Sequence, residues 1–369
     1  MKANRKMKIL LIPKGFLGDI ILVTPIIASL RSCGHSVTVV VPPVAKGILG
    51  GDLADDVVVF DRRKEFRGWS GLRAFAKRIK AMHFDRAYSF QRSARTSLLF
   101  RLAGIPERVG YADAYLGFLY TKRVSRTESL HEVLRSFELV VDELEPESQR
   151  EVNKLLRGER TVDPNFGRLQ VSLPSSDGMS ARVLEVLTGE VPFIVLAPGS
   201  VWATKRWDSQ EYREVAKTYL HEKHRVVLVG APNESVVCDE VAADLPVVNL
   251  CGKTTLPELI AIIAEAAGVV CNDSMALHVS SATQTPCVAV FCATSPTFGF
   301  GPWKNKAIVL EKSELFCKPC RRHGSYSCPT GTRACMVGVS GAEVVLALNS
   351  LMQRGVPSTE DDTREVKGI

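Results

Sequence analysis

The chain of 369 residues carries 47 Lys and Arg against 40 Asp and Glu and has the composition of a soluble globular protein, too long for one ordinary core, so two domains of normal size are expected. No apolar run approaches the ~20 residues of a membrane span and Ile9 to Ile12 is far short of a signal-peptide core, which points to the cytoplasm and to ten reduced cysteines. The net charge of +7 is unevenly placed: between Phe60 and Arg126 stand 16 Lys and Arg but 5 Asp and Glu, the footprint either of a solvated basic face or of an acidic partner such as nucleic acid, an anionic membrane or a phosphorylated substrate.

Lys8 to Ile12 reads as a buried strand, Pro13 to Leu17 as a loop and Gly18 to Arg31 as a helix kinked at Pro25. Asp19 thus falls at a helix start, where a carboxylate is ordinarily an N-cap worth about 1 kcal/mol. Strands are predicted at Ser36 to Val41, Val57 to Phe60 and Asp85 to Phe90, and helices at Gly71 to Met82, Ser93 to Ala103 and His131 to Leu144. Such alternation means α/β with a parallel sheet. Arg160 to Ser176, with two prolines and mixed polarity, is the expected domain junction.

Alternation restarts with a strand at Phe193 to Ala197, a helix at Asp208 to Lys223 opened by an Asp-x-x-Glu box (Asp208, Glu211), and a strand at Arg225 to Gly230. Helices at Asn233 to Ala243 and Pro257 to Ala267 follow. Gly268 to Asn272 and the apolar Cys287 to Cys292 then read as two buried parallel strands joined by a helix from Ser274 to Gln284. Asp273 and Ser274 are placed to cap that helix. Its free N–H groups and positive dipole end make the corner an anion site at the carboxyl edge of the sheet, with His278 on the same helical face. The plain alternative is a capped helix with a half-buried histidine.

Pro198 to Trp207 (PGSVWATKRW) leaves the same sheet edge and offers Ser200, Thr204, Lys205 and Arg206, the hydroxyls and cations that a diphosphate requires. Several signatures are missing: G-x-G-x-x-G after the first strand, G-x-x-x-x-G-K-[ST], H-E-x-x-H and D-x-D. Their absence argues against a dinucleotide oxidoreductase or a P-loop enzyme. A departing nucleotide diphosphate would lean on Lys205 and helix N–H groups in place of a metal.

Five stretches, KILLIPKGFLGDIILVTPIIASLR, FQRSARTSLLFRLAGIPERVGY, HEVLR, LAPGSVWATKRW and NDSMALHVSSA, together resemble the lipopolysaccharide heptosyltransferases of glycosyltransferase family nine, nearer the second type, over Lys8 to about Leu348. The resemblance implies a GT-B fold, two facing Rossmann-like domains with parallel sheets and a cleft between them, and an inverting transfer of heptose from an ADP-sugar to the Kdo or heptose of a lipopolysaccharide inner core. It assigns Asp19 as general base. Ser200, Thr204, Lys205, Asp273, Ser274, Met275 and His278 would hold the donor's phosphates and sugar, with Gly230, Glu234 and Thr254 near the nucleoside. Gln91, Arg92 and Arg95 would hold the anionic acceptor. Two positions depart from the family pattern: Met275 stands where glycine is usual, and Gly15 where serine is common.

Cys317, Cys320, Cys328 and Cys335 form C-x2-C-x7-C-x6-C, a candidate structural zinc or iron–sulfur cluster or else a loop of reduced thiols. No cofactor is otherwise required. The expected partners are a nucleotide sugar, an anionic glycolipid acceptor and the inner leaflet of the inner membrane, touched peripherally from the cytoplasm, with no nucleic acid. Residues 1–175 are assigned to the acceptor domain, 176–354 to the donor domain and 355–369 to a polar tail. The competing readings are a GT-B transferase using another nucleotide sugar, a nucleotide-sugar 2-epimerase, which would need a second acid/base pair, and a nucleic-acid-binding protein.

Overall fold

Alternate residues of a strand face opposite ways, and in β1 (Lys8–Ile12) both sets are apolar: Ile9 and Leu11 enter one buried cluster, Leu10 and Ile12 another. Such a strand must be covered on both faces. A computed structural model describes residues 6–50, 53–159 and 161–353 and places β1 third in a six-stranded sheet, β3-β2-β1-β4-β5-β6. Its other members are β2 (Ser36–Val41), β3 (Asp56–Val59), β4 (Arg86–Ser89), β5 (Glu107–Tyr111) and β6 (Lys122–Val124).

The second half repeats the pattern. β7 (Phe193–Ala197), β8 (Arg225–Leu228), β9 (Val248–Asn249), β10 (Gly268–Asn272), β11 (Cys287–Phe291) and β12 (Ala307–Glu311) lie in the order β12-β11-β10-β7-β8-β9. Every neighbouring pair in both sheets is parallel. Read from its own first strand, each sheet has the doubly wound order 3-2-1-4-5-6. The order reverses between β1 and β4 and between β7 and β10, so each sheet opens a crevice at the carboxyl ends of those two strands. One apolar cluster runs from Ile9 and Leu11 through Ile20 and Ile21 to Leu277, Val195 and Val269, so the two halves share a buried face.

Several boundaries differ from the sequence reading. The helix expected over Gly18 to Arg31 is two helices, Leu17–Leu22 and Thr24–Ser32, because Pro25 lacks an N–H and occupies the first turn of the second. The Asp208 box is half formed: Asp208 accepts from Gln210 N at 2.9 Å, but Glu211 turns away to accept from Gly341 N at 2.5 Å. Ser274 is the N-cap residue of Met275–Thr283 yet makes no capping bond, and Asp273 points elsewhere. β5, β6, β12 and the helices Pro146–Leu156, Ala181–Thr188 and Gly341–Gln353 were not anticipated. The tail expected at 355–369 lies outside the described residues.

Candidate active site

A cleft of about 660 Å³ lies between the two sheets, lined from the first half by Lys14, Phe16, Asp19, Gln91, Arg92 and Arg126. All but Arg126, which follows the edge strand β6, emerge from the two strands at the first switch point. Gln91 Nε2 donates to Pro13 O at 3.0 Å and so ties the loop after β4 to the loop after β1. Asp19 stands in the first turn of Leu17–Leu22, which packs on Met275–Thr283 of the other half. Close packing there depends on Gly18, since a Cβ at that position would come within 2.6 Å of His278 Cδ2.

Asp19 is not an N-cap. Its side chain is 11% exposed, and Oδ1 is buried with no hydrogen-bond partner. Burial raises its pKa from 3.8 to about 6, with Glu132 pushing the same way and Lys14 and Lys205 opposing. Lys14 Nζ sits 3.7 Å from Asp19 Oδ1, past hydrogen-bond reach, because it lies 2.5 Å from Glu132 Oε1. Burial opposes the charge on Glu132, yet Lys14, Arg126 and Arg135 together hold its carboxyl below the usual range.

The opposite wall includes Ser200, Lys205, Asp273, Ser274, Met275 and His278 from the second switch point, and Gly230, Glu234 and Thr254 from the loops after β8 and β9. Asn272, the last residue of β10, fixes this wall: its Nδ2 donates to Pro198 O at 2.8 Å and Gly199 O at 3.2 Å, while its Oδ1 accepts from Trp207 N at 2.9 Å. Asp273 Oδ2 then meets Lys205 Nζ at 2.6 Å and accepts from Thr294 Oγ1 at 2.7 Å. Lys205 is thereby aimed at the uncapped first turn of Met275–Thr283. Glu234 accepts from Ala231 N at 2.8 Å and sits where a Cβ on Gly199 would reach it at 2.2 Å, so its carboxylate is wedged between the loops after β7 and β8. His278 is kept neutral by burial, with its pKa lowered to about 4 although Asp273 favours the charged form.

Three of the expected residues do not line the cleft, and one of them, Arg206, instead donates its Nε to Ser200 O at 2.9 Å. Thr204 is buried, its Oγ1 donating to Ser325 O at 3.0 Å and accepting from Ser325 N at 2.8 Å, so its proton is not left for a phosphate. Arg95 lies outside the cleft, with Nη2 on Phe66 O at 2.7 Å and Gly68 O at 3.3 Å and its guanidinium over Phe60. Arg92 does line the cleft, at its rim, paired with Asp113 at 2.7 Å. From the sequence none of Lys14, Arg126, Glu132, Arg322 and His323 is assigned to the cleft, His323 reading as a substitute metal ligand or an exposed loop histidine, yet all but Glu132 line it. The HEVLR segment was the available signal for Glu132.

None of the four clustered cysteines is in a disulfide, and although Cys317, Cys320 and Cys328 lie close enough to Cys335 to act on its charge, among the described residues no three His, Cys, Asp or Glu side chains are placed to hold an ion. Their loop instead packs on the donor wall. Lys318 Nζ donates to Phe291 O at 2.6 Å and pairs with Glu311 at 2.7 Å, Ser325 holds Thr204, and Arg322 and His323 reach the cleft.

Two facing doubly wound sheets with a cleft between their switch points define a GT-B protein. Residues 72–329 match the family profile of glycosyltransferase family 9 (heptosyltransferase), and the chain belongs to that family. It is a glycosyltransferase. Lipopolysaccharide heptosyltransferase 2 of Escherichia coli is 28% identical over 285 residues, 74% of this chain and 77% of that one. The solved structure of the E. coli ADP-heptose lps heptosyltransferase II has a TM-score of 0.73 at 24% identity, covering 94% of this chain and 99% of its own. A family 9 glycosyl transferase from Veillonella parvula has a TM-score of 0.77 at 21% identity, covering 95% and 98%. At these identities the two structures speak for the fold.

Proposed function

We propose that the protein transfers heptose, with inversion, from an ADP-activated donor to a sugar hydroxyl of the inner core, Kdo or heptose, of a lipid-anchored lipopolysaccharide acceptor. The observation that carries this reading is the pairing of Lys205 with Asp273 at the uncapped helix turn, directly across the cleft from the buried Asp19. Asp19 takes the proton of the attacking hydroxyl. Lys205 and the N–H groups of the Met275–Thr283 turn stabilise the charge growing on the departing diphosphate. Asp273 serves as the orienter of Lys205, since a carboxylate so placed would repel phosphate unless its charge were already matched. Ser200 and Ser274 add hydroxyls to the phosphate side, Met275 and His278 floor the sugar, and Gly230, Glu234 and Thr254 border the nucleoside. No metal enters this scheme.

A thermal-shift screen of nucleotide sugars tests the reading, since a ligand at 100 times its dissociation constant stabilises by about 2.7 kcal/mol. ADP-sugars are expected to raise the melting temperature and UDP-sugars to leave it unchanged; the reverse order would defeat the assignment. On the acceptor side, Arg92→Gln is expected to raise the Michaelis constant for the anionic acceptor roughly 10-fold without changing ADP affinity. Arg95→Gln is expected to leave both constants alone and lower stability instead. Equal kinetic losses in the two variants would show that the acceptor reaches the Arg95 side of the domain.

The lipid anchor of the acceptor implies peripheral attachment to an anionic bilayer from the cytoplasmic side. Supporting this are exposed aromatic side chains grouped about the start of the Ala94–Leu102 helix: Trp69 is 50% exposed, Tyr115 75% and Phe118 73%. Arg95 ties the Trp69 side to that helix, and Tyr115 N donates to Arg92 O at 3.1 Å. Arg62, Arg63, Lys64, Arg67 and Arg73 are exposed nearby in the chain. Trp and Tyr favour the headgroup layer, and each cation near an anionic leaflet contributes about 1 kcal/mol. Wild-type protein is expected to sediment with vesicles containing phosphatidylglycerol and not with pure phosphatidylcholine, and Trp69→Ser with Phe118→Ser to stay in the supernatant. Equal sedimentation of wild type and variant would remove this face from the account.

A further inference from the structure

Lys14 stands between two carboxylates and is not shared equally. Its ammonium lies 2.5 Å from Glu132 Oε1 and 3.7 Å from Asp19 Oδ1, although Asp19 Oδ1 has no other partner. A lysine side chain is flexible enough to close that gap, so the asymmetry has to be imposed by whatever holds Glu132.

Glu132 is held from every side. Its Oε2 accepts from Arg126 Nη2 at 2.9 Å and from Arg135 Nη1 at 3.1 Å, and its own N–H donates to Gly299 O at 2.8 Å, across from the other half of the molecule. Arg135 is itself fixed, with Nη1 on Phe298 O at 2.9 Å, Nε on Thr127 O at 3.1 Å and its carbonyl accepting from Tyr111 OH at 3.0 Å. The result is a fixed anion that outcompetes Asp19 for the Lys14 ammonium.

We propose that Glu132 is a positioning residue for the proton-transfer step: by capturing Lys14 it keeps that ammonium out of hydrogen-bond reach of the Asp19 carboxylate, leaving a loose ion pair at 3.7 Å and an oxygen able to accept a proton from the acceptor hydroxyl. This rests on the reading of Asp19 as general base. Closing that contact to a charge-assisted hydrogen bond would lower the basicity of the carboxylate further. Loss of the lysine would raise it. Glu132 therefore sets the working range of the base both by its own charge and through Lys14, without touching substrate.

The other charged groups around Asp19 are Lys205 across the cleft, His278 against Gly18, and His131, Arg126 and Arg135 behind Glu132. Burial lowers both His278 and His131 to about 4, so neither masks the titration of Asp19 near pH 6, and burial lowers His323 as well.

The experiment is a carboxyl-carbon NMR titration of aspartate-labelled, ligand-free protein, with the Asp19 resonance assigned by its loss in Asp19→Asn, alongside the pH dependence of kcat/KM. Lys14→Met is expected to move the Asp19 midpoint up by about one unit and Glu132→Gln to move it down by about one unit, with the acidic limb of kcat/KM following in each case. A merely structural role gives no such opposite displacement. If Glu132→Gln fails to fold because Arg126 and Arg135 lose their counter-charge, Lys14→Met and Glu132→Asp carry the test. The aspartate variant should retain the wild-type midpoint within about half a unit. A midpoint that stays put in Lys14→Met, or moves the same way in the Lys14 and Glu132→Gln variants, overturns the inference. Absence of transfer in wild type with every donor would count against the proposed function alone, because the NMR midpoints are read without substrate.

Discussion

Asp19→Asn is expected to lose roughly 10²- to 10⁴-fold in turnover while binding ADP as the wild type does. The amide keeps the shape of the side chain and cannot take a proton. Because burial lifts the Asp19 pKa to about 6, the wild-type rate should rise through that pH and level off above it, whereas the residual rate of the variant should be flat across the same interval. The same shift makes a stability statement of opposite sign. A carboxyl whose folded pKa is about 6, against 3.8 for an aspartate in the unfolded chain, favours the fold while protonated, and that contribution is lost as pH rises through about 6. Above it the buried charge costs about 3 kcal/mol. Asp19→Asn should therefore melt higher than wild type near pH 8 and converge with it near pH 4. Lower melting at both ends, with near-normal turnover, would return Asp19 to the role of an ordinary structural aspartate.

The parts of this architecture legible in the sequence are those where one local property decides the outcome. KILLI, FIVLA and GVVCN are apolar at every second position on both faces or throughout, and the strands lie within the stretches read for them. ERVGY and KRV are charged and sit toward the sheet edge, where exposure relaxes the pattern, and they passed unnoticed. In the cleft, the loops after β1, β7 and β10 were legible because polar residues directly follow a buried strand at its carboxyl end. What failed is partner choice over long separations. Thr204 looked like a phosphate hydroxyl until Ser325, 121 positions away, claimed it, and Glu132 acquires meaning only from Lys14, 118 positions away. Arg95 was misplaced for a subtler reason: the helix face it occupies turns toward Phe66 and Gly68, away from the cleft. The buried HEVLR stretch packs His131, Glu132 and Arg135 into five residues, and that density was itself the overlooked sign of an internal ion network.

Lys205→Ala should differ from Asp19→Asn in the step it harms. The ammonium faces the diphosphate before and during departure, so ADP affinity and turnover should fall together, affinity by about 10- to 100-fold for one lost charge-assisted contact. Stability should fall as well, because Asp273 is buried and would retain only its bond from Thr294. That second loss threatens the interpretation, since a distorted corner also binds poorly. The double variant Lys205→Ala with Asp273→Asn separates the two: the amide no longer leaves a naked charge, so the melting temperature should recover toward wild type. ADP affinity should not recover, because nothing has replaced the cation. Calorimetric titration of ADP against the single and double variants, beside their melting curves, makes the comparison. If affinity returns with stability, Lys205 serves to neutralise Asp273 and the diphosphate is held by the helix turn alone.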